Sequence, residues 1–401
     1  MDAKEAVIKP SLVRLLIIVA IMACAGAIFS SVMPDYLKNH IGIEGDVRGA
    51  LEIPRELPGF LLVFITGILV SMRRHNAFGG VFLIGIAAFI GLAFLVNTLP
   101  TFIIFMVLWS TATHAFMPLR DTVAIDLAGV ERRGWILGRI GAFRSCGLIL
   151  GSAAVWLLME YFEADFRAIW ICAAAIMLLG AIFSFTLPER KEKNVPARKM
   201  KRFLYRKEYR LYYLLCMLFG ARKQIFLTFA PWMLVSLFAQ TAPDLALVMG
   251  ISAGLGLFIK PFFGNMIDRF GERAILMVDA VLIVLLCTGY AVVPNLFGPG
   301  VALLLLYTFF VMDELLFSLA MARTTYLSSI VNDKNEMIPT MGLGGTLDHA
   351  VSMIVPLIGG ILWVTIAPWA VFAFAGLVAI VTFFVVRRIP GKQEKDQQII
   401  H

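Results

Sequence analysis

The sequence predicts an all-α membrane protein, with twelve transmembrane helices in two pseudo-symmetric six-helix bundles. Three observations carry that expectation. Long apolar stretches recur from residue 15 to residue 386, a basic segment divides them six and six, and basic residues collect in alternate connections. Of the 401 residues, 60% are hydrophobic and 15% are charged. Mean hydropathy is +0.86. Soluble domains carry about 25% charged residues, and no polar region here is large enough for a soluble domain. Lipid is the solvent that fits.

A spanning helix needs about 20 largely apolar residues, because the hydrocarbon core is about 30 Å thick. Such segments lie near 14–36, 47–71, 78–97, 101–127, 134–159, 166–187, 209–238, 244–267, 273–293, 299–327, 338–364 and 366–388. Helices satisfy their own backbone hydrogen bonds in lipid. The alternation of a membrane barrel is absent.

An even number of spans puts both termini on one side, and charge selects the side. Lys4, Lys9 and Arg14 precede the first span. Arg73 and Arg74, Arg132 and Arg133, and Arg269 and Arg273 occupy connections on that same side, as do Arg387, Arg388, Lys392 and Lys395 in the tail. The opposite connections 97–101, 239–244, 294–300 and 365–369 hold no Lys or Arg. Both termini are therefore expected in the cytoplasm, in a multi-pass inner-membrane protein. This placement also accounts for the net charge of +8 without nucleic acid as a partner.

The segment from Pro188 to Lys207 holds nine basic and two acidic residues. It divides the chain into an amino-terminal bundle (1–187), a basic cytoplasmic linker (188–208) and a carboxy-terminal bundle with its tail (209–401). The linker sets topology; Phe203, Leu204 and Tyr205 among its bases also suit an amphipathic helix on anionic headgroups. The bundles resemble each other weakly. Arg120-Asp121-Thr122 aligns with Arg323-Thr324-Thr325, and with one extra residue Gly138, Gly141 and Arg144 meet Gly342, Gly345 and Asp348. Transporters use such duplications around a midplane site.

Gly264-Asn265-Met266-Ile267-Asp268-Arg269-Phe270-Gly271-Glu272-Arg273 joins the eighth and ninth spans. It resembles the G-x-x-x-D-R-x-G-x-R loop of the major facilitator superfamily. Gly264 permits close helix approach, Asp268 sits where Arg and backbone amides neutralise it, and Gly271 permits a tight turn. The resemblance implies that Gly264, Asp268, Arg269, Gly271 and Arg273 form a cytoplasmic latch remade during alternating access. The first copy, Gly67 to Arg74, has Ser71 in the Asp position. The fifth span carries Gly138, Gly141, Gly147 and Gly151 without an adjacent Pro, a departure from the family's drug–proton antiporters.

Ionisable groups at mid-bilayer are costly and face a cavity or a partner. Arg144, Arg222, Lys223 and Lys260 fall near the midplane of their spans. In the family those spans line the central cavity or the interface of the halves, so the resemblance implies a positive lining. Arg suits carboxylate or phosphate, and an organic anion is the expected substrate. Asp313, Glu314 and Asp348, with His349 beside them, are candidates for proton coupling, or fixed counter-ions to Arg222, Lys223 or Arg144. Asp121, Asp126, Arg139 and Arg323 read as inter-helix pairs near the cytoplasmic ends. Glu52, Arg55, Glu56 and Asp35 read as interfacial or gate pairs at the outer side. Lys260, two turns before Asp268, suits either the latch or the cavity.

The expected function is proton-coupled transport of a small molecule; the alternative is proton-driven efflux of drugs or amphipathic compounds. Protons and membrane lipids are the other expected partners, and the chain is expected to be a monomer. An enzyme is disfavoured: His40, His75, His114, His349 and His401 are scattered, and no P-loop occurs. Cys24, Cys146, Cys172, Cys216 and Cys287 have neither disulfide nor metal spacing. No cofactor, metal or catalytic residue is expected.

Overall fold

The computed structural model describes residues 10–62, 72–128, 133–188, 205–331 and 333–391. The described residues are helical throughout, apart from short connections. In chain order the helices are α1 (Pro10–Asp35), α2 (Gly45–Ala50), α3 (Glu52–Phe60), α4 (Arg74–Phe94), α5 (Leu99–Ala128), α6 (Arg133–Glu160) and α7 (Phe166–Ser184). Beyond the linker follow α8 (Arg210–Phe238), α9 (Ala242–Leu296), α10 (Pro299–Leu316), α11 (Met321–Ile330), α12 (Lys334–Thr365) and α13 (Pro368–Val386). Ten helices among the described residues are long and apolar enough to cross a membrane.

Helix ends follow local chemistry. Asp165 accepts from Ala168 N at 2.8 Å and caps α7. Thr241 and Asp244 form a capping box at the start of α9. At 55 residues, α9 is long enough for two passages, and Gly271 breaks it with φ 80° and ψ 162°. Glycine tolerates that backbone without a Cβ penalty. The two arms correspond to the expected eighth and ninth spans, with the latch motif at the turn. Helices α2 and α3 belong to the expected second span. Residues 63–71 lie outside the described residues, and with them Gly67 and Ser71 of the first motif copy. The same holds for linker residues 189–204, so the amphipathic-helix expectation falls there too.

Each bundle is built on aromatic packing. Phe29, Phe89, Trp109 and Trp170 form one cluster, with Tyr36 and Phe102 stacked beside it. In the second bundle Tyr290 stacks on Phe372 at 4.6 Å, and Phe226 meets both edge-on. Small residues set a tight crossing: a Cβ on Gly147 or Gly151 would overlap the carbonyl oxygen of Ala20 or Cys24 in α1. Two glycines one turn apart let the backbones of α1 and α6 touch, as in membrane helix pairs generally.

The bundles meet along α1, α2, α3 and α6 on one side and α8, α9 and α12 on the other. Their contact is closest toward the base-poor face. There a Cβ on Gly49 would overlap Pro356 O, one on Gly45 would overlap the Trp363 ring, and Gly360 lies against Gly45 and Asp46. Asp35 Oδ2 accepts from Ala242 N at 2.8 Å, joining the ends of α1 and α9. Ser152 of α6 lies against Gly250 of α9. Gly141 and Gly138, about three and four turns back toward the basic face, lie on nearly the same stripe of α6 as Ser152. A Cβ on either would meet nothing within 4 Å, and the same is true of Gly254 and Gly264 on α9. Helices α6 and α9 thus touch near the base-poor face and diverge toward the basic face.

Candidate functional site

The short helices α2 and α3 place Arg48, Glu52, Arg55 and Glu56 at helical spacing along one face, so they interact in sequence. Arg48 Nη1 donates to Glu52 Oε1 at 2.6 Å. Arg55 pairs with both Glu52 and Glu56. Arg48, Glu52 and Glu56 are 1%, 0% and 3% exposed. Such charges hold together in a dry site only as a mutually neutralising set.

This set reaches across to the second bundle twice. Gln224 Nε2 of α8 donates to Glu52 Oε2 at 2.7 Å. His349 Nδ1 of α12 bonds Glu56 Oε2 at 2.7 Å. His114 of α5 stands against His349, with ring centroids 5.0 Å apart, and its Nδ1 lies 2.8 Å from Ser110 O. The Ser110 hydroxyl donates to Arg55 O. Two hydrogen bonds to carboxylates therefore join the bundles just inside the close packing of α2 on α12.

Within the second bundle Lys223, Asp348, Arg222, Asp313 and Asp279 are paired. Lys223 bonds Asp348, which also takes Ser352 at 3.4 Å and has Arg323 Nη1 at 4.0 Å. Gly220 allows this: a Cβ there would come within 2.6 Å of Asp348 O, so α8 and α12 cross at near contact. Arg222 Nη2 donates to Asp313 Oδ1 at 3.1 Å, and Nη1 lies 3.7 Å from Asp279 Oδ2. Arg222 Nε and Nη1, Asp279 Oδ1 and Arg323 Nε are buried without hydrogen-bond partners. They border an apolar cleft shared with Leu215, Leu218, Phe219 and Leu276. Arg323 also lies over the Phe219 ring, 3.7 Å from its centroid.

Arg144, Lys260 and Glu314 differ. No ion pair within 4 Å ties them to one another or to any other described residue, although they feel one another's charge. Arg144 is exposed, midway along α6. A bare guanidinium in mid-span is costly toward lipid, and the open space beside Gly138 and Gly141 on the same helix offers it a polar crevice. Lys260 and Glu314 are partly exposed beside it.

The sequence-predicted residues thus separate. Arg222 and Lys223 have acidic partners, Asp313 and Asp348, which follows the counter-ion alternative. Arg144 and Lys260 remain together with Glu314. The latch residues Gly264, Asp268, Arg269, Gly271 and Arg273 lie on either side of the α9 turn, away from the midplane set. Near the basic face Arg120 bonds its neighbour Asp121 at 2.8 Å; the Asp126 side chain lies outside the described residues. Arg48, Gln224 and Asp279 stand in the site without a counterpart among the sequence-predicted residues, and His114 joins it although it reads as a scattered histidine in the sequence. Asp279 left a signal, a lone acid within the apolar run 275–287. Gln224 left none, being uncharged.

A sealed polar layer near one face, a crevice opening to the other, and paired charges inside the membrane are features of a polytopic transporter. A family model described as Major Facilitator Superfamily matches residues 15–332. The chain belongs to that superfamily of transporters, which are not enzymes. A protein of Mycolicibacterium smegmatis named as a triacylglyceride transporter is 28% identical over 151 residues, covering 35% of this chain and 26% of that one. A like-named protein of Mycolicibacterium hassiacum is 27% identical over 177 residues, covering 42% and 32%. The matches span about a third or less of those relatives. Among solved structures, the nucleoside transporter NupG superposes with TM-score 0.71 at 16% identity, over 95% of this chain and 99% of that one. A D-xylose-proton symporter gives 0.73 at 13% identity, over 96% and 98%. Identities this low speak for the fold.

Proposed function

We propose that the protein is a proton-coupled secondary transporter for a small molecule with an anionic group, working by alternating access. The observation that carries this reading is the trio Arg144, Lys260 and Glu314. Two cations and one carboxylate, contributed by both bundles, border the crevice without an ion-pair partner. Their net charge is positive. A substrate carboxylate or phosphate held between Arg144 and Lys260 would join the bundles on the basic side and favour closure there.

Closure on the basic side requires opening on the other. Opening breaks Glu52–Gln224 and Glu56–His349. Loss of the His349 bond leaves Glu56 with Arg55 and frees the His349 imidazole to exchange a proton with solvent. Glu56 and His349 are thereby candidates for the proton step, with Glu314, Asp313 and Asp348 behind them. The orientation follows the charge asymmetry: basic face to the cytoplasm, both termini inside, in the inner membrane.

The test is uptake into proteoliposomes of a panel of labelled organic anions, with and without a pH gradient. The reading expects saturable, gradient-stimulated uptake that Arg144→Gln and Lys260→Gln each reduce at least tenfold. Gradient-insensitive flux, or flux indifferent to both substitutions, would refute it.

A second reading is transport of amphipathic or lipid-like compounds. It draws on the apolar cleft beside Arg222, Asp279 and Arg323, and on the names of the two mycobacterial relatives. Flux of fluorescent lipids but of no anion in the same proteoliposomes would favour it.

A further inference from the structure

Three side chains from three helices converge where the polar layer seals the base-poor face. They are Glu56 of α3, His114 of α5 and His349 of α12. One ligand atom of each lies within 4.8 Å of the other two. Glu56 and His114 are buried, and His349 is only partly exposed. No sequence spacing announces this set, because its members lie far apart in the chain.

The local chemistry prepares the set for a cation. Ser110 O can only accept, so the His114 Nδ1 beside it at 2.8 Å carries the hydrogen. His114 Nε2 then holds the lone pair. A backbone carbonyl fixing one ring nitrogen while the other is left to ligate is the usual support of a metal-bound histidine. The opposite edge of the ring is also defined. A Cβ on Gly59 would come 2.7 Å from His114 Nε2 and 2.7 Å from His349 Cε1. Both rings therefore rest over the bare backbone of Gly59, and a larger residue there would displace them.

We propose that Glu56, His114 and His349 bind one divalent transition-metal ion of the Zn2+ class, and that the ion clamps the base-poor gate shut. Two imidazoles and a carboxylate are the ligands such an ion takes, at about 2.0–2.2 Å, with a fourth position left for water. The ion would take the place of the His349 Nδ1–Glu56 Oε2 hydrogen bond of 2.7 Å. Arg55 and Lys223 stand in the same layer and compete for its carboxylates, which weakens the site relative to a structural zinc centre. Glu56 and His114 belong to the first bundle and His349 to the second. The full ligand set therefore exists only while the gate is closed, and the ion favours that state by its differential affinity. The clamp rests on the alternating-access reading; the binding of the ion does not.

The experiment uses the full chain, purified in detergent and stripped with chelator. Zn2+ is titrated by calorimetry, and Co2+ serves as an optical probe of coordination. The expected result is one ion per chain, with affinity lowered at least tenfold in His114→Gln and in His349→Gln, each checked for a monodisperse profile. Absence of stoichiometric binding by the unmodified protein, or binding unchanged in His114→Gln, overturns the site. For the clamp, spin labels go at Phe162→Cys and Ile366→Cys, on opposite bundles at the base-poor face. In a Gln224→Leu background Zn2+ is expected to shift the population toward the short distance. Binding without that shift overturns the clamp and leaves the transport reading to its own flux test.

Discussion

Replacing Gln224 by Leu removes one hydrogen bond between the bundles and one longer bond, to Thr228 Oγ1 at 3.3 Å, within α8. Gln224 is fully buried, and its Nε2 donates to Glu52 Oε2 at 2.7 Å. Glu52 keeps Arg48 and Arg55, so no buried charge loses its counter-ion. Leu is close to Gln in size and leaves no large cavity. A hydrogen bond to a charged group contributes about 1.5–3 kcal/mol. Gln224 Oε1 is buried without a partner, so its removal offsets part of what Thr228 Oγ1 loses. The bond exists only while the base-poor gate is closed. Its loss should therefore shift the gate equilibrium toward the open state by about tenfold to a hundredfold, at about 1.4 kcal/mol per decade. Pulsed dipolar spectroscopy between labels at Phe162→Cys and Ile366→Cys reads that shift directly. Both positions are exposed, at 74% and 59%. The account expects a longer-distance population to grow in Gln224→Leu. A distance distribution matching that of the parent protein would refute the assignment of this layer as the gate.

Other perturbations follow from the same geometry. Gly49→Ala places a Cβ against Pro356 O and should push α2 from α12, lengthening the same label distance. Gly151→Leu collides with Cys24 O in the α1–α6 crossing. It should lower the thermal midpoint by the cost of overpacking, about 1–3 kcal/mol or more, and a midpoint equal to the parent's would count against that crossing. Asp313→Leu takes away the carboxylate that Arg222 hydrogen-bonds and leaves it Asp279 at 3.7 Å; it should destabilise by about 1.5–3 kcal/mol, and the double change with Arg222→Met should cost less than the sum of the two single changes. Thermal midpoints of the two single variants and the double close the cycle, and simple additivity would dissolve the pair.

Much of the architecture is legible in the sequence because lipid leaves few options. Apolar runs of spanning length must be helices, and the bases that alternate between connections mark their ends. Gly271 is legible as a turn, and its positive φ is what that position demands. The midplane cations could be named, since each interrupts an apolar run, and two of their acidic partners were among the alternatives. The gate was harder. Residues 48–56 hold four charges within nine positions, a stretch that looks interfacial until α12 is packed over it. The hydropathy of a segment reports its own composition, not the helix that covers it. His114 and His349 each look solitary along the chain, and only the crossing of α5 and α12 beside Gly59 brings them together. Gln224 carries no charge and left no trace in a search for charges.

The divergence of α6 and α9 toward the basic face is the physical basis of everything proposed about transport, and it can be measured without knowing the cargo. A single cysteine at Gly141, introduced after the five native cysteines are changed to Ser, would face that crevice. Labelling by a membrane-impermeant maleimide is then compared in right-side-out and inside-out vesicles. The account predicts rapid labelling in inside-out vesicles and protection in right-side-out ones, with the protection lost in Gln224→Leu. Protection from both sides, or labelling only in right-side-out vesicles, would contradict it.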